Sequence, residues 1–272
     1  MRITDWNDAY ANRDYIPDAD GFITAWERDA MAFRARMRDL GRSEEDIAYG
    51  PDTRNRMDLF QPKGAAEGLV VFVHGGYWRA FDKSTWSHFA EGPLAQGWAV
   101  ATPSYTLAPH ARIAEITREV AAAITLAAGR VAGPIRLVGH SAGGHLVCRM
   151  VCADTPLAAD VSARIARTTS ISGVHDLRPL LATDMNADFR LDEAAAIAES
   201  PALCRPRDGA RVLVWVGAEE RPEFVRQTTL LANIWTGLGA EMAQTKEPGR
   251  HHFDVIDGLR DTGSPLIAAV LA

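Results

Sequence analysis

The stretch Leu137-Val138-Gly139-His140-Ser141-Ala142-Gly143-Gly144-His145-Leu146 decides the fold. Upstream, Pro134-Ile135-Arg136 joins Leu137 and Val138 in a short apolar run behind Gly133-Pro134, the form of a buried strand. Downstream, Leu146-Val147-Cys148-Arg149-Met150-Val151 continues as an apolar helix. Between them stands Gly139-x-Ser141-x-Gly143, the pattern of a serine held on a sharp strand-to-helix turn. Such a turn strains the serine's backbone and crowds the positions two residues to either side. Glycine removes the side chains that would collide there, so Ser141 stands free at the carboxyl edge of a sheet. A bare pattern of this kind also occurs as a plain glycine-rich turn. The rest of the chain must therefore supply a base, an acid and an oxyanion hole in workable order.

Leu69-Val70-Val71-Phe72-Val73 is a fully apolar strand that runs into His74-Gly75-Gly76-Tyr77-Trp78. Glycines after a buried strand leave the backbone bare, so that its amides can point at a developing oxyanion. The candidate donors are Gly76 or Tyr77, with Gly75 as a further choice, together with Ala142 after the serine. His74 orders this loop rather than acting as a base.

Around these two motifs strands and helices alternate. Residues 1–49 precede the sheet as an N-terminal helical arm, with an amphipathic helix from about Ile23 to Leu40; Phe22, Trp26, Met31, Phe33 and Met37 recur at helical spacing and are read as core contacts, with the lining of a pocket as the alternative. Arg56–Phe60 alternates and stops at Pro62, as an antiparallel edge strand does. Then come a helix over Trp86–Gln96, a strand at Trp98–Pro103, a helix over Ile113–Ala128, the elbow strand and a strand at Ile165–Gly173. Val174–Cys204 lacks strand character and is a candidate lid insertion. Such alternation gives an α/β chain with a parallel sheet and helices on both faces, and 272 residues suit one domain.

The last strong buried strand, Arg211–Gly217, is followed by Ala218-Glu219-Glu220-Arg221-Pro222-Glu223. A carboxylate here is placed to orient a histidine. Pro222 opens the next helix, which assigns Glu223 to its first turn, where an acid complements the helix dipole. Glu220 is the choice for the acid, and Glu219 the second. After a strand around Glu241–Gln244, the loop Pro248-Gly249-Arg250-His251-His252-Phe253 offers His251 or His252 as base. The order nucleophile, acid, base is then complete. His140 is structural, and His145 borders the site without the position of a base.

Composition narrows the partners. A formal net charge of −6 argues against nucleic acid or an anionic membrane surface. No apolar run is long enough to span a bilayer, and the N-terminus lacks the apolar core of a secretion signal. The three cysteines, Cys148, Cys152 and Cys204, suggest reduced thiols in a cytoplasmic protein. Cys148 and Cys152 are read as small buried hydrophobes rather than half of a metal site.

Together these residues resemble the kynurenine formamidase (arylformamidase) branch of the α/β-hydrolases, related to the hormone-sensitive-lipase-like esterases. His74-Gly75-Gly76-Tyr77-Trp78 is similar to that branch's H-G-G-x-W signature. The elbow Gly139–His145, Pro222-Glu223-Phe224, and His252-Phe253 followed by Asp254-Val255-Ile256 match it too. The resemblance, over roughly Leu69 to Leu259, implies the α/β-hydrolase fold with a mostly parallel eight-stranded sheet. It implies Ser141 as nucleophile, Glu220 as acid and His252 as base, with no metal and no organic cofactor. The sequence departs in one point: better-known animal members carry aspartate where Glu220 stands. The implied substrate is N-formylkynurenine, which needs a small acyl pocket and an aromatic leaving-group pocket. Trp78, Tyr105 and the segment around Asp176 are candidates for the latter. Two alternatives stand beside this: a broad short-chain carboxylesterase with the same triad, and a non-catalytic binding protein of the same fold. The expected partner is thus a small acyl amide or ester, with a second copy of the chain, as a homodimer, also open.

Overall fold

The structure is a computed structural model and describes residues 3–272. Met1 and Arg2, part of the stretch read for a secretion signal, lie outside the described residues. Eight strands form one sheet: β1 Ser43–Ala48, β2 Arg56–Phe60, β3 Leu69–Val73, β4 Ala99–Pro103, β5 Ile135–His140, β6 Ile165–Ile171, β7 Arg211–Gly217 and β8 Glu241–Glu247. Their order is β1-β2-β4-β3-β5-β6-β7-β8. The pairings of β1 with β2 and of β2 with β4 are antiparallel, and the rest are parallel. β3 is apolar along its length, and β4 and β7 nearly so, because both faces are covered. One layer holds the helices Ile113–Arg130 and Ala142–Arg149. The other holds Trp26 and Phe33 of the N-terminal helix, Trp86, Phe89 and the C-terminal helix Pro265–Leu271.

Three expectations need correction. Arg56–Phe60 is not an edge strand, because β1 covers it, and the arm of residues 1–49 does not wholly precede the sheet, because β1 belongs to it. Ser43-Glu44-Glu45-Asp46-Ile47-Ala48 hides itself by carrying almost no apolar side chains. It is held by charge instead: the Asp58 carboxylate, fully buried on β2, binds Arg34, receives the Asp46 N–H at 2.9 Å and lies 2.8 Å from Lys83. Arg34 in turn reaches Glu45 on β1 at 2.7 Å. The helix expected over Trp86–Gln96 is broken into the short turns Lys83–Trp86, Ser87–Ala90 and Glu91–Ala95. Pro93 withholds an N–H, and a Cβ on Gly92 would stand 2.2 Å from the Leu259 carbonyl. Val174–Cys204 is a run of short helical turns tied into the core by Leu177, Leu180 and Phe189.

The strand order positions the site. β3 and β5 are neighbours, so the glycine loop and the elbow leave the sheet side by side. β6 and β7 follow on the same parallel edge, bringing their carboxyl ends beside the elbow.

Candidate active site

Ser141 has φ 55° and ψ −117°, a strained conformation for a residue with a side chain. It is held there because its N–H donates to Ile171 on the neighbouring strand at 2.8 Å and its carbonyl accepts from His145 N at 3.2 Å. The flanking glycines permit the close approach. A Cβ on Gly143 would stand 1.9 Å from the Val73 carbonyl, and one on Gly139 would stand 2.1 Å from the Gly143 carbonyl.

The structure separates the three competing acids. Glu219 is exposed. Glu223 is buried in a network of its own, accepting from the Tyr10 hydroxyl at 2.9 Å, Gln227 at 2.8 Å and Arg226 at 2.7 Å. Glu220 meets His252: Nδ1 of the imidazole lies 2.6 Å from Oε2. An ionised carboxylate can only accept, so Nδ1 carries the proton and Nε2 keeps a lone pair. The other oxygen, Oε1, accepts from the Gly217 N–H at 2.8 Å and from the Ser172 hydroxyl. Of the two adjacent histidines, His251 turns aside to Asp254, 3.1 Å away.

Ser141 and His252 line one cavity of about 280 Å³. Neither Ser141 Oγ nor His252 Nε2 makes a hydrogen bond among the described residues, and neither is sealed off. Gly76 and Tyr77 line the same cavity. Gly76 has φ 108°, and Tyr77 and Trp78 have φ 51° and 55°, so the loop turns through a conformation that only glycine adopts freely. Gly75 is packed beneath: a Cβ there would stand 3.0 Å from Ser141 Cβ. Ala142 is the first residue of the elbow helix, where an N–H has no intrahelical partner.

All three candidates for the leaving-group pocket are elsewhere. Trp78 is fully buried against His145 and Phe189, and Tyr105 stacks on His74 at 4.3 Å with its hydroxyl donating to the His74 carbonyl. Both are supports of the glycine loop, not cavity wall, because the left-handed turn at residues 77 and 78 swings the Trp78 ring inward. Asp176 lies at a separate depression with Trp6 and Arg178. The aromatic wall comes instead from Trp26, Phe81, Trp86 and Phe253. The N-terminal arm adds Asn12 and Arg13, and Met185 reaches in from the run of short helices. The helix read as core, with pocket lining as the alternative, thus does both through Trp26, whereas Met31, read as a core contact, faces solvent. Tryptophan spacing alone could not tell the two roles apart.

Two supports hold the acid and the base; sequence reasoning missed Ser172 and read His140 as structural without finding its partner. Ser172, at the end of β6, orients Glu220. His140 donates Nε2–H to the His252 carbonyl at 2.9 Å, fixing the loop that carries the imidazole. Burial, and the neighbouring His252, hold the His140 ring well below the usual histidine range, so it stays neutral there. His74 is lowered to about 4 by burial and gives Nδ1–H to the Gly75 carbonyl at 2.7 Å. His145 is lowered to about 3, also by burial, and bonds the Glu199 carbonyl, away from the cavity. Cys148 and Cys152 are buried, and burial pushes the Cys148 thiol up to about 12. Cys152, Asp154 and Cys204 come together, but the Arg149 guanidinium already grips Asp154 at 2.9 and 3.1 Å.

With this geometry in hand, the chain can be set against known proteins. The family model described as BD-FAE matches residues 57–187. A kynurenine formamidase of Danio rerio is 28% identical over 89% of this chain and 86% of its own length. One of Drosophila melanogaster is 26% identical over 80% and 73%. A crystal structure from Silicibacter sp. TM1040, of a protein proposed to be a thioesterase, superposes with TM-score 0.94 at 47% identity, covering 98% of this chain and 99% of that one. Esterase B of Lactobacillus rhamnosis superposes with TM-score 0.66 at 17% identity over 92% and 91%, a likeness of fold alone. The chain belongs to the α/β-hydrolase superfamily, related to the hormone-sensitive-lipase-like esterases, and is similar over most of its length to kynurenine formamidases.

Proposed function

We propose that the protein is a serine hydrolase that removes a formyl group from an aryl amide, N-formylkynurenine being the substrate that best fits. The observation that carries this reading is the 2.6 Å pair of Glu220 and His252, whose imidazole shares a cavity with the strained Ser141. Ser141 Oγ attacks the formyl carbon as His252 Nε2 takes its proton, and the C=O electrons move onto oxygen. Amides of Gly76 or Tyr77 and of Ala142 stabilise that oxyanion, each donor being worth about 3–4 kcal/mol in such sites. His252 returns the proton to the leaving aniline nitrogen as the C–N bond breaks. Water, deprotonated by the same imidazole, then releases formate and frees Ser141. Glu220 holds the imidazole tautomer throughout and offsets its transient charge. The names of the relatives matched over most of their length support a formyl acyl group, and the aromatic wall supports an aryl leaving group.

A second reading, a short-chain carboxylesterase on the same three side chains, is favoured by the 47% identical protein proposed to be a thioesterase. Turnover of N-formylkynurenine, its N-acetyl analogue and p-nitrophenyl acetate decides between them. The formamidase reading expects the formyl amide to exceed the acetyl amide by about a hundredfold in kcat/KM, the scale on which a pocket rejects one extra methyl. Equal turnover of the two amides with fast ester hydrolysis would establish the second reading instead.

A further inference from the structure

The N-terminal arm carries a polar atom that the fold leaves unpaired at the cavity holding the reacting groups. The Tyr77 hydroxyl donates its one proton to the carbonyl of Tyr10. That hydroxyl can then only accept, so the Asn12 amide must present Nδ2 to it, at 3.1 Å. This fixes the other end of the amide. Asn12 Oδ1 is buried and has no partner, on a residue only 5% exposed that lines the cavity with Ser141 and His252. The adjacent Arg13 is paired with Asp20. A buried acceptor without a partner is unfavourable, and such atoms are rare unless something else fills the vacancy.

We propose that Asn12 is a specificity-determining residue: its Oδ1 accepts a hydrogen bond from an amine or ammonium group borne by the leaving group of the substrate. A leaving group that lacks this donor leaves Oδ1 buried without a partner, and so forgoes that hydrogen bond and binds less well. The assignment rests on Ser141 as nucleophile but not on the acyl group being formyl.

The test uses two matched substrate pairs on the full chain. One pair is an aryl formamide whose ring substituent ends in a primary amine, and the same compound with methyl in its place. The other is the corresponding pair of aryl acetates. The quantity read is the ratio of kcat/KM within each pair. Wild type should prefer the amine-bearing member by about tenfold or more. Asn12→Leu and Asn12→Ala should bring that ratio close to one, and Asn12→Asp, which keeps an acceptor oxygen, should retain it. A wild-type ratio near one overturns the assignment. So does a ratio that survives in Asn12→Leu and Asn12→Ala, including the case where both members of a pair slow equally, which would mark Asn12 as packing for the Tyr77 loop. If the formamides are inert and the acetate pair shows the expected ratios, the formamidase reading fails and the role of Asn12 stands.

Discussion

Glu220→Gln isolates the job of the acid with the least disturbance to packing. The carboxylate accepts at both oxygens: Oε2 from His252 Nδ1 at 2.6 Å, and Oε1 from Gly217 N–H at 2.8 Å and the Ser172 hydroxyl. A glutamine has one acceptor oxygen. The Gly217 N–H is a backbone donor that cannot turn away, so it claims that oxygen and the amide NH₂ faces His252 Nδ1–H. Two donors then oppose each other. The imidazole escapes by moving its proton to Nε2, where it can no longer receive one from Ser141. The equivalent carboxylate-to-amide change in a Ser-His-acid triad lowers kcat about 10⁴-fold, or about 5 kcal/mol of barrier at 1.36 kcal/mol per decade. Because the side chain keeps its volume in a site that is 7% exposed, melting should shift little. The assay is kcat/KM on an activated ester, alongside a thermal melt. Glu219→Gln, at an exposed neighbour, serves as control and should stay within about twofold of wild type. If Glu220→Gln keeps more than about a tenth of wild-type kcat/KM, or if Glu219→Gln loses as much, the tautomer reasoning is wrong.

Other outcomes follow from the same geometry. Gly143→Ala puts a Cβ 1.9 Å from the Val73 carbonyl, and should destabilise the fold by about 3 kcal/mol or more in denaturant melts. His88 is fully buried with both ring nitrogens unpartnered, and burial lowers it to about 4. The unfolded chain therefore takes the proton first, and stability present above about pH 6.5 is lost as pH falls toward 4. Removing the group with His88→Leu should consequently help more at pH 5 than at pH 8, by about 2 kcal/mol, and an equal effect at both would contradict this. Asp257 shows the opposite sign, raised to about 6 by burial and by the charge of Asp254. Its contribution is fully present below its unfolded value of about 4 and is lost as pH rises through 6. Asp257→Asn should thus raise the melting temperature at pH 8 and leave it unchanged, relative to wild type, at pH 3.5.

How much of this was legible in the sequence depended on what kind of force wrote each part. β3, β5 and β7 announce themselves because strands buried on both faces must be apolar, and the elbow glycines because no other residue fits. The acid could be narrowed to the loop after β7 and chosen by its distance from Pro222, a local constraint. β1 was hidden because ion pairs of Arg34 and Lys83 hold it, and charge carries no periodicity. The reach of Asn12 and Trp26 into the cavity was an open alternative that the sequence could not decide, for a different reason. It depends on the N-terminal arm docking more than sixty residues from the loop it touches, through Tyr77 and Tyr10. Trp78 and Tyr105 misled because an aromatic beside a motif looks the same whether its ring turns outward or, as here, beneath the loop.

The most direct measurement is covalent capture of the nucleophile. A fluorophosphonate forms a stable bond only with a serine oxygen activated by a neighbouring base. Peptide mapping by mass spectrometry should place one adduct on Ser141, with activity lost in step. Ser141→Ala should give no adduct, and His252→Ala should label at least a hundredfold more slowly, within the ~10²–10⁴-fold contribution of a positioned base. An adduct on another residue, labelling of Ser141 as fast without His252, or hydrolysis that persists in Ser141→Ala, would contradict the mechanism.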